Sequence, residues 1–338
     1  MGGPEHKQTP GQDSHDLAIM LDPVLHAACE GQLGDIEWFK SAWQHGGAAT
    51  GFAEWRFPDG RKTGVLVKLP IGPNEHRWTT LLGLCSPEQF HTSHDLPTPR
   101  MLAGGRELAG YDLAWFVIER FPGSPVTPEF GKTDGARAVE ELLDAAVEFH
   151  RRAGEMRRVD EEPRPHEWEK LLHRARENSK HHGLTDEQRW NEAVKKVQHR
   201  LEWLLGKWES RRIHTWCHGD LHPGNAMRRA GDSQARRGCT LLDLALVHPG
   251  HWVEDALYLE RLFWGKVDLL HGVKPVSHMA KLRRERGLSC DDNYAELAMV
   301  RRVLMAACVP AFVEHEGHPK YTHAALELLE KTLPQLGH

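Results

Sequence analysis

The chain has 338 residues, 40% of them hydrophobic and 27% charged, a composition that excludes a disordered or fibrous protein and leaves room for two domains. Its 43 Lys+Arg against 48 Asp+Glu give a net charge of -5, so no basic excess points to nucleic acid or an anionic membrane as partner. No apolar run approaches the ~20 residues of a membrane helix, the first 16 residues are polar, and the six cysteines show no paired spacing; these features predict a cytoplasmic protein without a disulfide framework.

Residues 1–15 lack periodicity and read as a flexible tail. Helical spacing follows over 16–30 and 35–43. Between 46 and 70 the texture changes to GGAATGFAEWRF, the turn pair Asp59-Gly60 and the apolar VLVKL, which together predict a β-hairpin. A helix is expected at NEHRWTTLLGL, then, after Pro97 and Pro99, strands over 100–108 and 112–120, the second carrying the continuous apolar run LAWFVI of a buried strand. FPGSP at 121–125 is a turn signal and marks a boundary. Beyond it helices dominate. Residues 136–152 are amphipathic, and Trp190, Val194, Val197, Leu201, Leu204 and Trp208 recur at steps of three and four along one helix face, as a core stripe does. A short strand and loop are expected over 213–225, a second hairpin over 226–243 and helices from 253 onward. The basic pairs Arg228-Arg229 and Arg236-Arg237 flank that hairpin's tip and read as a solvated turn.

The chemistry concentrates in His218-Gly-Asp-Leu-His-Pro-Gly-Asn225, followed eighteen residues later by Asp243 in the strand-like TLLDLAL. A carboxylate five residues before an Asn on a stiff loop, with a second carboxylate leaving a strand, suits phosphoryl transfer. One Asp orients the attacking hydroxyl and takes its proton, while Asn and the second Asp hold Mg²⁺, a hard cation that prefers oxygen ligands. Two other readings stay open at this level: a turn capped by the Asp, or His218, Asp220 and His222 as ligands of a transition metal, against which Pro223 and Gly224 break the extended geometry. Gly131-Lys132-Thr133 ends like a phosphate-binding loop, but Val126 stands where its first glycine belongs, so it reads as a helix start.

With these residues in view, the sequence resembles the aminoglycoside phosphotransferase and choline kinase family, small-molecule relatives of the protein kinases. HGDLHPGN resembles that family's catalytic loop, LLDLALVHPGHWVEDALYL its metal-binding strand, turn and helix start, FVIERFPGSP its inter-lobe linker, AVEFHRRAG a helix ending near a Phe-His pair, and LPTPRML the strand before the linker. The likeness covers roughly residues 45 to 265.

The resemblance implies an α+β, two-lobed protein-kinase-like fold: an N-terminal nucleotide-binding lobe over 16–120, a linker at 121–125 and a larger, mostly helical catalytic and substrate lobe over 126–338. It makes Asp220 the catalytic base, Asn225 and Asp243 the Mg²⁺ ligands, and His218, His222 and Asp255 supports of the loop. Lys68 in VLVKL would steady the ATP phosphates, paired with Glu75 or, as the alternative, Glu88. Adenine would bond to the backbone near Glu119 and Phe121, and the phosphate-covering loop would include Gly46, Gly47 and Gly51. The implied activity is ATP-dependent transfer of the γ-phosphate to a hydroxyl of a small molecule, an antibiotic or a metabolite such as a sugar or amino alcohol, with a nucleotide-binding scaffold lacking turnover as the rival. From 251 to 338 there are 12 Asp+Glu and 11 Lys+Arg, which predicts a neutral or modestly charged acceptor rather than a polycation.

Overall fold

The computed structural model describes residues 10–39, 47–123, 125–126, 132–163, 165–181, 184–229 and 238–337. In chain order it begins with α1 (Pro10–Ala28), β1 (Glu37–Phe39), β2 (Ala49–Arg56), β3 (Lys62–Leu69), α2 (Pro73–Gly83), α3 (Pro87–Thr92), β4 (Met101–Gly105) and β5 (Trp115–Glu119). Next come α4 (Lys132–Met156), α5 (Trp168–His181), α6 (Glu187–His199), α7 (Leu201–Glu209) and β6 (Thr215–Cys217). The chain continues through β7 (Ala226–Met227), β8 (Thr240–Leu241), β9 (His248–Gly250), α8 (Val253–Leu262), α9 (Pro275–Glu285), α10 (Tyr294–Ala307), α11 (Val313–Glu316) and α12 (Pro319–Thr332). These elements form two compact units, one of Met1–Pro125 with Ala226–Val247 and one of Val126–Asn225 with His248–His338. Residues 226–247, which the sequence reading groups with the helical remainder, thus pack with the first unit.

The first unit is built on an antiparallel sheet of order β1-β2-β3-β5-β4. Alternation in β3 puts Val65, Val67 and Leu69 into a core with Trp55, Phe57, Trp115 and Val117, while the intervening Leu66 belongs to a second cluster on Phe116 and Ile118. Lys68 shares that parity and is only partly buried. α1 starts at Pro10, inside the stretch read as a tail. The segment 35–43, expected as a helix, instead supplies β1: Glu37 to Phe39 pair with Phe52 to Thr50, and tertiary pairing overrides the local 3.6-residue spacing.

The second unit is mainly helical. Trp168, Leu172, Trp190, Val194, Val197, Leu204 and Trp208 gather with Val300, Leu304, Leu326 and Leu329 in one core. The stripe from Trp190 to Trp208 is buried, apart from the half-buried Leu201, but it is not one helix. The chain breaks between α6 and α7 at Arg200 (φ -109°, ψ 7°), whose guanidinium donates to the carbonyls of Leu333, Leu336 and Gly337. Among the described residues no helix is long and apolar enough to cross a membrane.

Candidate active site

In the first unit, β3 carries Lys68 and the start of α2 carries Glu75. Lys68 Nζ donates to Glu75 Oε1 at 2.6 Å, with the glutamate side chain 8% exposed. Glu88 lies apart from this pair, accepting from Ser86 Oγ on exposed α3. Burial pushes the Glu75 carboxyl above its ordinary range, and the charge of Asp243 adds to the rise; Lys68 opposes it without cancelling it. Asp243 is exposed and sits at φ +57°, a left-handed conformation that a non-glycine residue holds only where its surroundings impose it. Asn74, on the first turn of α2, fastens the segment after Asp243 by donating to the carbonyls of Ala245 and Val247.

Lys68, Glu75 and Asp243 line one cavity of about 430 Å³, together with Leu66, Phe116 and Ile118 from the sheet and Phe121 at the end of β5. Glu119, beside it, is buried and saturated. Its carboxylate accepts from the Arg100 backbone N–H and guanidinium and pairs with Arg229 Nη2 at 2.8 Å. Arg229 corrects the reading of that stretch as a solvated turn: its side chain is 3% exposed, donates to Thr240 Oγ1 and to the carbonyls of Leu96 and Thr98, and lies over the Phe121 ring. A buried carboxylate demands such partners. Nothing in the local spacing distinguishes Arg229 from Arg228. Gly46, Gly131, Arg236 and Arg237 lie outside the described residues; Gly47 precedes β2, Gly51 lies within it, and Lys132 opens α4.

In the second unit, the loop after β6 carries His218, Asp220, His222 and Asn225. Asp255, fully buried on the first turn of α8, holds this loop. Its carboxylate accepts from the backbone N–H of His218 (2.8 Å) and Gly219 (2.9 Å) and pairs with His150 Nε2 of α4 (2.8 Å). Gly219 takes φ +82°, a conformation open to glycine at little cost, and this turn delivers Asp220 beyond it. Asn225 Nδ2 donates to both the carbonyl and the Oδ2 of Asp220, at 3.1 and 2.9 Å, so the donor end of its amide faces Asp220 and the acceptor end, Oδ1, faces away. His222 Nε2 stands 3.6 Å from Asp220 Oδ2, its Nδ1 accepting from the Gly224 N–H. Tyr258 of α8 donates its hydroxyl to Asp220 Oδ1. Partial burial raises the Asp220 carboxyl, but His222, Tyr258 and Asn225 outweigh it and bring the pKa down to about 2. Asp220 is therefore a fixed carboxylate at neutral pH, both oxygens aimed by donors. Sequence reasoning missed Tyr258; its only signal was its place one helical turn beyond Asp255.

The carboxylate of Asp243 in the first unit and the amide oxygen of Asn225 in the second are each oxygen donors, the type a hard cation prefers. Among the described residues no group of three or more His, Cys, Asp or Glu is arranged to hold a metal, so the His218, Asp220 and His222 trio does not form a transition-metal site.

Several solved structures share this fold. A microcompartment-associated aminopropanol kinase is 14% identical at TM-score 0.55, covering 95% of this chain and 99% of the other. A spectinomycin phosphotransferase solved with ADP and spectinomycin is 11% identical at TM-score 0.51, with coverages of 93% and 98%. The aminoglycoside phosphotransferase of Alicyclobacillus acidocaldarius is 15% identical at TM-score 0.50, with coverages of 90% and 92%. The fold is thus that of the protein-kinase-like phosphotransferases. No curated protein matches the chain. The family model described as the phosphotransferase enzyme family matches residues 72–275, more than half of the chain, and the chain belongs to that family.

Proposed function

We propose that the protein is an ATP-dependent small-molecule kinase that transfers the γ-phosphate to an acceptor hydroxyl, with Mg²⁺ held by Asp243 and Asn225. The observation that carries this reading is the cavity of the first unit, where the Lys68–Glu75 ion pair and Asp243 share one wall with an apolar sheet face. An apolar face suits a planar base, and a cation and a carboxylate together suit a metal-bound triphosphate. The backbone N–H groups of Glu119 and Arg120 are already given to the carbonyls of Arg100 and Gly64, so the backbone donor to adenine at this edge would be the N–H of Phe121.

When bound, Mg²⁺ neutralises phosphate charge. The chain's own residues do the rest. Lys68, fixed by Glu75, binds phosphate oxygens. Asp220, aimed by Tyr258 and Asn225, accepts a hydrogen bond from the acceptor hydroxyl. As that oxygen bonds to the γ-phosphorus, the bond from phosphorus to the bridging oxygen breaks, ADP leaves, and the hydroxyl proton passes to the Asp220 carboxylate. With a pKa of about 2, Asp220 contributes more by orientation than by basicity before the transition state, and it gains strength as proton acceptor only as the attacking oxygen acidifies.

Calorimetric titration of the full chain with MgATP tests the first half of this reading. Binding is expected, and Lys68→Met should weaken it at least tenfold; no binding by the unaltered protein would sink the proposal. A screen of ATP consumption over hydroxyl compounds tests the second half.

A further inference from the structure

Behind the Asp220 loop, the second unit buries a chain of ionisable groups. Arg283 of α9 is 3% exposed, His150 of α4 is 4% exposed and Asp255 of α8 is fully buried. Arg283 donates from Nε and Nη2 to the carbonyl of Ser289, at 2.9 and 2.8 Å, and its Nη1 meets His150 Nδ1 at 3.2 Å. Its guanidinium lies 5.5 Å from the centre of the Trp252 ring. The other ring nitrogen of His150, Nε2, stands 2.8 Å from Asp255 Oδ2.

These contacts leave His150 one protonation state. A guanidinium has only donors, so Nδ1 accepts; a carboxylate has only acceptors, so Nε2 carries the hydrogen. His150 is therefore neutral, and Arg283, His150 and Asp255 together hold one positive and one negative charge. Burial is the chief force against a proton on Nδ1; Asp255 opposes it, and the charges of Arg283 and of His218, in the loop after β6, add to it. Burial also lowers Arg283 to about 10, which leaves it charged at neutral pH.

The far end of the chain reaches the reacting carboxylate. Asp255 accepts from the His218 and Gly219 N–H groups, and His218 Nδ1 accepts from the Asp220 N–H at 3.3 Å. A buried carboxylate demands a compensating charge. With Arg283 removed, the nearest place for one is His150 Nδ1. A proton there makes an imidazolium beside Asp255, whose stronger, charge-assisted bond draws the carboxylate away from the two N–H groups.

We propose that Arg283 is a positioning residue for phosphate transfer: by keeping His150 neutral, it leaves the Asp255 carboxylate to hold the backbone of the Asp220 loop. Its action runs through His150 and Asp255, and no bond exchanged in the transfer involves it. The inference rests on the kinase reading above only for its effect on transfer.

The test uses the full chain with Arg283→Met, His150→Gln and the double variant. Nitrogen-15 histidine spectra of the unaltered protein should show Nδ1 of His150 as an acceptor and Nε2 as a donor from pH 8 to pH 6, the signal being identified by its loss in His150→Gln. Arg283→Met should bring a proton onto Nδ1 within that range. Arg283→Gln, which removes the charge but keeps a polar side chain, is the second variant and should do the same. Deuterium exchange of the His218 and Gly219 amides, relative to the unaltered protein, should then rise about threefold more at pH 6 than at pH 8, and this pH dependence should vanish in the double variant. Single-turnover transfer to the acceptor identified by the screen above should fall about 10- to 100-fold at pH 6 in Arg283→Met, with MgATP affinity within twofold. The double variant should be no slower than His150→Gln alone. A protonated Nδ1 in the unaltered protein, a His150 that stays neutral in both Arg283 variants, loosening of the loop that is equal at both pH values, or losses that add in the double variant would each overturn the proposal. A screen that finds no acceptor counts against the function proposed above, while the spectra and the exchange still decide this inference.

Discussion

Glu75 in the first unit and Asp220 in the second are both carboxylates withdrawn from water, yet they are shifted in opposite directions. Glu75 has one cation, Lys68, on one oxygen, with the charge of Asp243 nearby, and burial prevails. Asp220 is less buried and has hydrogen-bond donors on both oxygens, and the donors prevail. The direction of a shift is thus settled by counting what meets each oxygen against how much water was removed. A carboxylate held up by burial can release or take a proton when a ligand changes its surroundings; one held down by donors stays charged and serves as a fixed guide.

The largest expected effects fall on the guide. Asp220→Asn should lower single-turnover phosphate transfer by about 10²- to 10⁴-fold, the usual worth of proton transfer to a placed group, while nucleotide affinity stays within a few-fold. Asp243→Asn should instead lose nucleotide affinity and transfer together. Equal loss of nucleotide affinity in both would show that Asp220 holds structure rather than substrate.

Burial also decides for His251, which sharpens the contrast. Its pKa falls to about 4, chiefly through burial, and the charge of His214 adds to the fall; the contact with Asp291 Oδ2 at 3.1 Å only partly opposes them. His150 and His214 are lowered for the same leading reason. Each binds its proton more readily in the unfolded chain. Their support of the fold is therefore complete above an unfolded value of about 6.5 and declines as pH falls below it, for His251 toward 4. Each tenfold difference in proton affinity between the folded and unfolded chain corresponds to ~1.4 kcal/mol, so His251 alone contributes about 3 kcal/mol across that window. Urea melts from pH 7 to 4.5 should show this decline, and His251→Gln should flatten it.

Removing the single cation from Glu75 is a smaller perturbation. Lys68→Met should cost about 1–3 kcal/mol of stability, because Glu75 then takes up a proton rather than staying charged and unmatched. Glu75→Gln, which retains an acceptor for Lys68, should cost less, and thermal melts of the two variants compare them directly. A Lys68→Met protein of unchanged stability would mean that Glu75 is not held by its partner at all. The smallest effect is expected from Tyr258→Phe. It takes one donor from Asp220 and leaves Asn225 and His222, so transfer should drop about tenfold with nucleotide affinity unchanged. A larger loss would place Tyr258 in contact with the acceptor.

What could be read from the sequence was whatever is local. The alternation in VLVKL and the five-residue step from Asp220 to Asn225 are patterns within a few residues, and β3 and the loop after β6 are present in the fold; the strand-like run around Asp243 is shorter than its pattern, since β8 ends at Leu241 and Asp243 follows it. The pairings that complete them are not local: His150 with Asp255 spans 105 residues, Tyr258 with Asp220 spans 38, and Arg229 meets Glu119 across more than a hundred. Local spacing also misled. The residues from 35 onward have helical periodicity but pair as β1, because an open edge of β2 offers more hydrogen bonds than an isolated turn can. At Arg200 the apolar stripe runs on while the backbone does not, since the carbonyls that the guanidinium reaches belong to the far end of the chain.

The return of residues 226–247 to the first unit has a consequence for the order in which the protein acquires structure on the ribosome. The segment through Pro125 emerges well before the strands β7 and β8 that it needs, and 122 further residues separate Pro125 from Val247. At roughly 5–20 residues per second that delay is about 6–24 s. During it Glu119 has Arg100 but not Arg229, and the carbonyl of Pro97 waits for the Leu241 N–H that it will accept. The nascent first unit thus has all five strands of its sheet but lacks Arg229 and the separate β7–β8 pair, and synthesis of the intervening helices sets the interval for which those partners are missing.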